Sequence, residues 1–149
     1  MLGDLTLPDY YNRTLQSEPS SFYEPSIAVP DLVVYAVGGN DYVSQGGNFP
    51  PSDEFITANI NFFLQILERA PNAQILAVCG MGDPVETESK PLNSRCLSCP
   101  FTEQAVKDFN VQYGGKFKPI AYQLVPCDGS VITGEGDIGC MGHRNRVGH

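Results

Sequence analysis

Three runs of apolar residues divide the chain, and two helical stripes lie between them. Leu32-Val33-Val34-Tyr35-Ala36-Val37 is apolar without polar alternation, the pattern of a strand buried on both faces in a parallel sheet. Gln74-Ile75-Leu76-Ala77-Val78-Cys79 is a second such run, closed by Gly80-Met81-Gly82. Pro119 to Val125 gives a third strand. Between the first two, Ile56, Ile60, Phe63 and Leu67 recur at steps of four, three and four, which makes one buried helical stripe. Ser52 is expected as its N-cap, and Asp53 and Glu54 favour the positive end of the helix dipole. Between the second and third runs, Thr102 to Tyr113 reads as a shorter helix. Its apolar face is Ala105, Val106, Phe109 and Tyr113, with Gly114 as its stop. Strand, helix, strand, helix, strand is the alternation of a parallel α/β sheet with helices on its faces. The first thirty residues read as an irregular lead-in, residues 42–51 and 83–100 as loops, and the tail from Pro126 as irregular.

Composition narrows the class. The length of 149 residues suits one domain, and 42% hydrophobic residues allow a core. A net charge of −8 argues against nucleic acid as a partner, because that would need a basic face. No apolar stretch reaches the roughly 20 residues that span a bilayer. The first residues, Met1-Leu2-Gly3-Asp4, lack the basic start and apolar run of a signal peptide. Five cysteines and the sequon Asn12-Arg13-Thr14 nonetheless favour an oxidising compartment, so a secreted protein is expected. The odd cysteine count leaves at least one thiol unpaired within the chain. The expected arrangement is Cys127 with Cys140, Cys96 with Cys99, and Cys79 as a free thiol buried in a strand. A four-thiolate zinc site from Cys96, Cys99, Cys127 and Cys140 is a weaker alternative, since the second pair lacks knuckle spacing.

Two places carry candidate chemistry. Gly38-Gly39-Asn40-Asp41 follows the first strand directly, so it brings polar side chains to the carboxyl edge of the sheet, where open α/β folds place their sites. An Asn amide there can donate to a developing oxyanion. It can equally form an Asx-type turn that only leads the chain out of the strand. Gly142-His143, with Gly148-His149 behind it, offers a general base near neutral pH. His149 is the last residue, which favours His143. Gly134-Glu135-Gly136-Asp137-Ile138-Gly139 matches a dinucleotide-binding pattern formally, but neither opens a helix nor leaves room for one. No cofactor and no metal are therefore expected.

These residues resemble a known family. Gly38-Gly39-Asn40-Asp41 after a buried strand is similar to the third conserved block of the SGNH (GDSL-type) hydrolases. Gly142-His143-Arg144-Asn145-Arg146-Val147-Gly148-His149 is similar to their final block. Leu7-Pro8-Asp9-Tyr10-Tyr11-Asn12-Arg13-Thr14-Leu15, the Pro30-Asp31 entry to the strand, and Cys140 before the histidine resemble the acetylxylan-type carbohydrate esterases of that superfamily. The resemblance implies a flavodoxin-like three-layer α/β/α fold. It implies Asn40 as an oxyanion donor supported by Gly38, Gly39 and Asp41, and His143 as the base that activates a serine. The substrate class it implies is a polysaccharide or small acyl ester.

Departures from the pattern shape the expectation. The family's nucleophile lies in a Gly-Asp-Ser block, and no such block occurs in the 149 residues. The chain is thus expected to form an incomplete fold of about three parallel strands with flanking helices, a partial domain over residues 1–149. On that expectation it begins about two strands into the fold and ends before the family's last helix. Cys140 stands where the family usually has the triad acid, which leaves Asp137 as the substitute candidate. The expected function is part of a carbohydrate-deacetylating esterase, inactive as this chain alone. The alternative is a non-catalytic protein that keeps a sugar-binding or partner-binding surface.

Overall fold

The structure is a computed structural model that describes residues 6–15, 17–24, 28–42, 49–80, 94–127 and 130–131. Three strands form one parallel sheet: β1 (Leu32–Tyr35), β2 (Gln74–Gly80) and β3 (Ala121–Val125), in spatial order β1-β2-β3. Helix α1 (Leu7–Tyr10) precedes β1, α2 (Ser52–Arg69) joins β1 to β2, and α3 (Cys99–Tyr113) joins β2 to β3. The expected incomplete flavodoxin-like α/β arrangement is present. Because the strand order never reverses, crossovers of one hand place both long helices on the same face of the sheet. Helices α2 and α3 accordingly pack against each other and against one core. Among the described residues no long helix covers the opposite face, so two of the three expected layers are on view.

The core shows why these elements fold together. Tyr35, Ile75 and Ala77 alternate inward from the strands and meet Phe63, Ile66 and Leu67 of α2 and Ala105, Val106 and Phe109 of α3. Phe63 and Phe109 are fully buried and stack edge to face at 5.8 Å. Burying each such side chain contributes roughly 1.5–3 kcal/mol, so this layer outweighs any single polar contact in the fold. One buried polar link runs through it. The Tyr35 hydroxyl donates to Asn59 Oδ1 at 2.7 Å, and Asn59 Nδ2 donates to the Phe55 carbonyl at 2.7 Å.

Several boundaries differ from the pattern reading. The buried face of α2 is Phe55, Asn59, Phe62, Phe63, Ile66 and Leu67, with Ile56 and Ile60 only half-buried. Asn59 explains the difference: a polar residue interrupts the apolar row that actually faces inward, and its amide is satisfied by Tyr35 and Phe55. Helix α2 begins at Ser52 with Pro51 as its cap, so Ser52 does not cap it. Helix α3 begins at Cys99 rather than Thr102, because Pro100 fits the first turn, where no N–H donor is needed. The expected loop before it ends in a 3₁₀ turn, Ser94–Ser98. The lead-in is also more ordered than an irregular segment: it holds α1 and an antiparallel bridge between Arg13 and Phe22.

The two disulfides overturn the expected cysteine pairing. Cys79 bonds Cys99, and Cys96 bonds Cys127, with Cα separations of 5.4 and 6.6 Å. Cys79 occupies an inward pleat position near the carboxyl end of β2, where the first turn of α3 brings Cys99 beside it. It is therefore neither free nor isolated. Cys96 and Cys99 lie close in sequence but serve different strands, and Cys127 is spent without Cys140. With Cys96, Cys99 and Cys127 in disulfides, the zinc alternative fails as well.

Candidate functional site

Strand β1 delivers its polar end to the carboxyl edge of the sheet. Gly38 leaves the strand with φ +98°, a backbone conformation that L side chains rarely adopt. A Cβ at Gly38 would also stand 2.6 Å from the Phe55 ring, so both sterics and backbone require glycine there. The chain then closes a 3₁₀ turn over Asn40–Tyr42, with Tyr42 N–H donating to the Gly39 carbonyl at 3.3 Å. The turn is thus closed by backbone. Among the described residues no hydrogen bond engages the Asn40 side chain, and Asn40 is exposed. The N–H two residues on, that of Tyr42, goes to the Gly39 carbonyl, so Asn40 Oδ1 closes no Asx turn, and no described residue engages its amide donors.

Tyr42 anchors this turn, and the pattern reading placed it in a plain loop. The residue is 3% exposed. It meets the Phe55 ring edge to face at 5.2 Å and stacks with Phe49 at 5.4 Å and Phe101 at 5.8 Å. Phe55 belongs to the first turn of α2 and Phe101 to the first turns of α3, so Tyr42 ties the Asn40 turn to the start of both helices. The Tyr42 hydroxyl is buried with no hydrogen-bond partner among the described residues. Burial, and secondarily the Asp41 carboxylate, raise its phenol above the ordinary range. Burial likewise pushes the Tyr35 phenol strongly upward, again with Asp41 adding to the effect. Both groups stay neutral at physiological pH.

The same edge is stapled from the other side. Cys79–Cys99 joins the end of β2 to the start of α3, and Cys96–Cys127 joins the 3₁₀ turn Ser94–Ser98 to the segment after β3. That 3₁₀ turn packs against Asn40–Tyr42. Gly80, with φ +114°, lets β2 end against β3, since a Cβ there would lie 2.0 Å from the Val125 carbonyl oxygen. The carboxyl edge is therefore held by aromatic packing, close backbone approach and two covalent links.

The site residues divide into two groups. The structure brings Gly38, Gly39, Asn40 and Asp41 together at the sheet edge. His143 and Asp137 lie outside the described residues, as do His149 and Cys140. Among the described residues no three of His, Cys, Asp and Glu cluster as metal ligands would. The available chemistry at this edge is hydrogen-bond donation from an unspent carboxamide beside a carboxylate and two neutral phenols.

Likeness to other proteins lies in the fold. No protein-family model matches the sequence, and no curated protein matches it. Solved structures do. A family 2 carbohydrate esterase with a carbohydrate-binding domain from Myceliophthora fergusii is 22% identical, with a TM-score of 0.68 over 99% of this chain and 41% of that chain. A family 2 carbohydrate esterase from Clostridium thermocellum, in complex with cellohexaose, is 23% identical, with a TM-score of 0.63 over 83% of this chain and 34% of that chain. A third carbohydrate esterase, whose active site displays divergent catalytic and non-catalytic binding functions, is 16% identical with a TM-score of 0.61. That match covers 83% of this chain and 37% of the other. The chain thus spans 34–41% of the length of these esterases. Over that part of their length, it shares the fold of these carbohydrate esterases, in line with the incomplete α/β fold that the resemblance implied.

Proposed function

We propose that this chain is part of an SGNH-type esterase that deacetylates carbohydrate in an extracellular setting. Asn40 donates to the oxyanion of the tetrahedral intermediate, and His143 is the base that relays the serine proton. Asp137 is the candidate acid that orients it. The serine and a second oxyanion donor come from outside these 149 residues, which contain no Gly-Asp-Ser block. The observation that carries the reading is the Asn40 amide at the carboxyl end of β1, unengaged among the described residues, on a turn that Gly38 and Tyr42 hold in place. Packing of Tyr42 holds the backbone turn that carries Asn40, which limits the reorganisation needed to present its amide as charge develops. Two disulfides support the oxidising, secreted setting.

The proposal assigns roles that kinetics can separate. In a longer product of the same reading frame that hydrolyses acetyl esters, Asn40→Ala should lower kcat by about 10²–10³ with a smaller change in KM. His143→Ala should lower kcat by about 10³ or more. An Asn40→Ala enzyme with unchanged kcat would remove Asn40 from the oxyanion hole.

One observation favours a second reading. The sequence has neither a Gly-Asp-Ser block nor an acid at the usual position before His143, where Cys140 stands. A protein that keeps the cleft without turnover fits that departure. One matched esterase has an active site with both catalytic and non-catalytic binding functions. If every natural transcript lacks an in-frame Gly-Asp-Ser block, the binding reading replaces the catalytic one.

A further inference from the structure

The amino edge of the sheet holds a cavity that the esterase reading does not use. It has a volume of about 240 Å³ and is lined by Tyr11, Tyr23, Ala28, Pro30, Arg69 and Ala70. Pro30 precedes β1 and Ala70 follows α2, so the cavity lies at the opposite end of the fold from Asn40. Its walls are fixed. The Tyr11 ring meets Phe62 edge to face at 5.3 Å. The Tyr23 hydroxyl donates to the Ala28 carbonyl at 2.6 Å, and Arg69 Nη1 donates to the Tyr23 carbonyl at 3.1 Å.

What these groups leave unspent defines a ligand. Arg69 has five N–H donors and uses one recorded bond, and no carboxylate partners it among the described residues. Position in the last turn of α2 accounts for a cation there, but not for a cation lining a cavity between two phenol rings. The Tyr11 hydroxyl also has no hydrogen bond among the described residues, and burial keeps the phenol protonated as a donor. A guanidinium fork matches a carboxylate in bidentate geometry. Tyrosine faces accept a flat or apolar ring face. At about 240 Å³ the cavity falls below the roughly 300–1,000 Å³ of drug-sized ligand sites, which limits the occupant to about one ring.

We propose that this cavity binds a small monocarboxylate carrying one six-membered ring, with the carboxylate on Arg69 and Tyr11 and the ring between Tyr11 and Tyr23. The chemistry is shared by aromatic acids and hexuronic acids, and calorimetric titration of the 149-residue protein distinguishes them. The probes are 4-hydroxybenzoate and D-glucuronate, each beside its uncharged counterpart, 4-hydroxybenzyl alcohol and D-glucose. At least one acid should bind saturably at one site, and its counterpart should bind about tenfold more weakly or not at all. Arg69→Met should weaken the acid by about tenfold or more, and Tyr11→Phe by a few-fold with its melting temperature unchanged. If Arg69→Met melts early, Tyr11→Phe decides alone, because it retains the ring and its contact with Phe62. Absence of saturable binding by either acid overturns the proposal. So does equal affinity for the uncharged counterpart, or an unchanged affinity in the deciding variant.

Discussion

Gly38 and Tyr35 show how much of the carboxyl edge depends on single atoms. Any side chain at Gly38 meets two obstacles, a φ of +98° and the Phe55 ring 2.6 Å from the new Cβ. Gly38→Ala should therefore destabilise the fold by about 2 kcal/mol or more in urea unfolding, and a loss below about 0.5 kcal/mol would contradict the geometry. Tyr35 has a folded-state phenol raised well above its ordinary value of 10.0, chiefly by burial. Its neutral form contributes stability that is fully present below the unfolded pKa and is lost as pH rises past it. Stability should therefore fall as the pH passes from about 9 to 11 and beyond, and Tyr35→Phe should lose less over that window. An equal alkaline slope in both proteins would shift the effect to another group. At this scale the sequence showed Asn40 and Gly38 clearly, because a Gly pair and an Asn after an apolar run have a direct local meaning. Tyr42 was not legible, since its three ring partners, Phe49, Phe55 and Phe101, become neighbours only in the fold.

Helices and strands were legible wherever apolar periodicity was unbroken. β2 and the Ala105-Val106-Phe109 face of α3 follow the pattern closely. The inner row of α2 did not, because Asn59 reads as polar until Tyr35 supplies its partner. The cysteines are the clearest case of a long-range fact hidden from local reading. Cys79–Cys99 and Cys96–Cys127 span 20 and 31 residues, and both converge on the start of α3. Loop-entropy arguments assign each link about 3–4 kcal/mol, with strain reducing that figure. Peptide mapping of non-reduced protein should recover these two pairs, and titration after denaturation should find one thiol, that of Cys140. Recovery of a Cys127–Cys140 peptide would contradict the structure. Removing Cys79–Cys99 as a double Ala variant should lower stability by about 2–4 kcal/mol in the same urea assay.

Among the described residues, long helices cover only one face of the sheet. Leu32 and Val34 of β1 are 55% and 59% exposed, beside half-buried Leu76 and Val78 on the same face. β1 is also an outer strand of the described sheet. Apolar side chains on an unpaired edge favour association between chains. Light scattering of the 149-residue chain should show self-association that Val34→Lys reduces without changing far-UV circular dichroism. A monomer that stays monomeric at high concentration would show that this face is covered in solution. Asn40 is the proposed oxyanion donor, while the sequence offers no Gly-Asp-Ser nucleophile to use it. The most direct test is hydrolysis of p-nitrophenyl acetate by the 149-residue chain, followed from the first turnover. The account predicts a rate equal to buffer and no acyl-enzyme burst. A stoichiometric burst followed by steady turnover would contradict it, because a nucleophile would then reside within these residues.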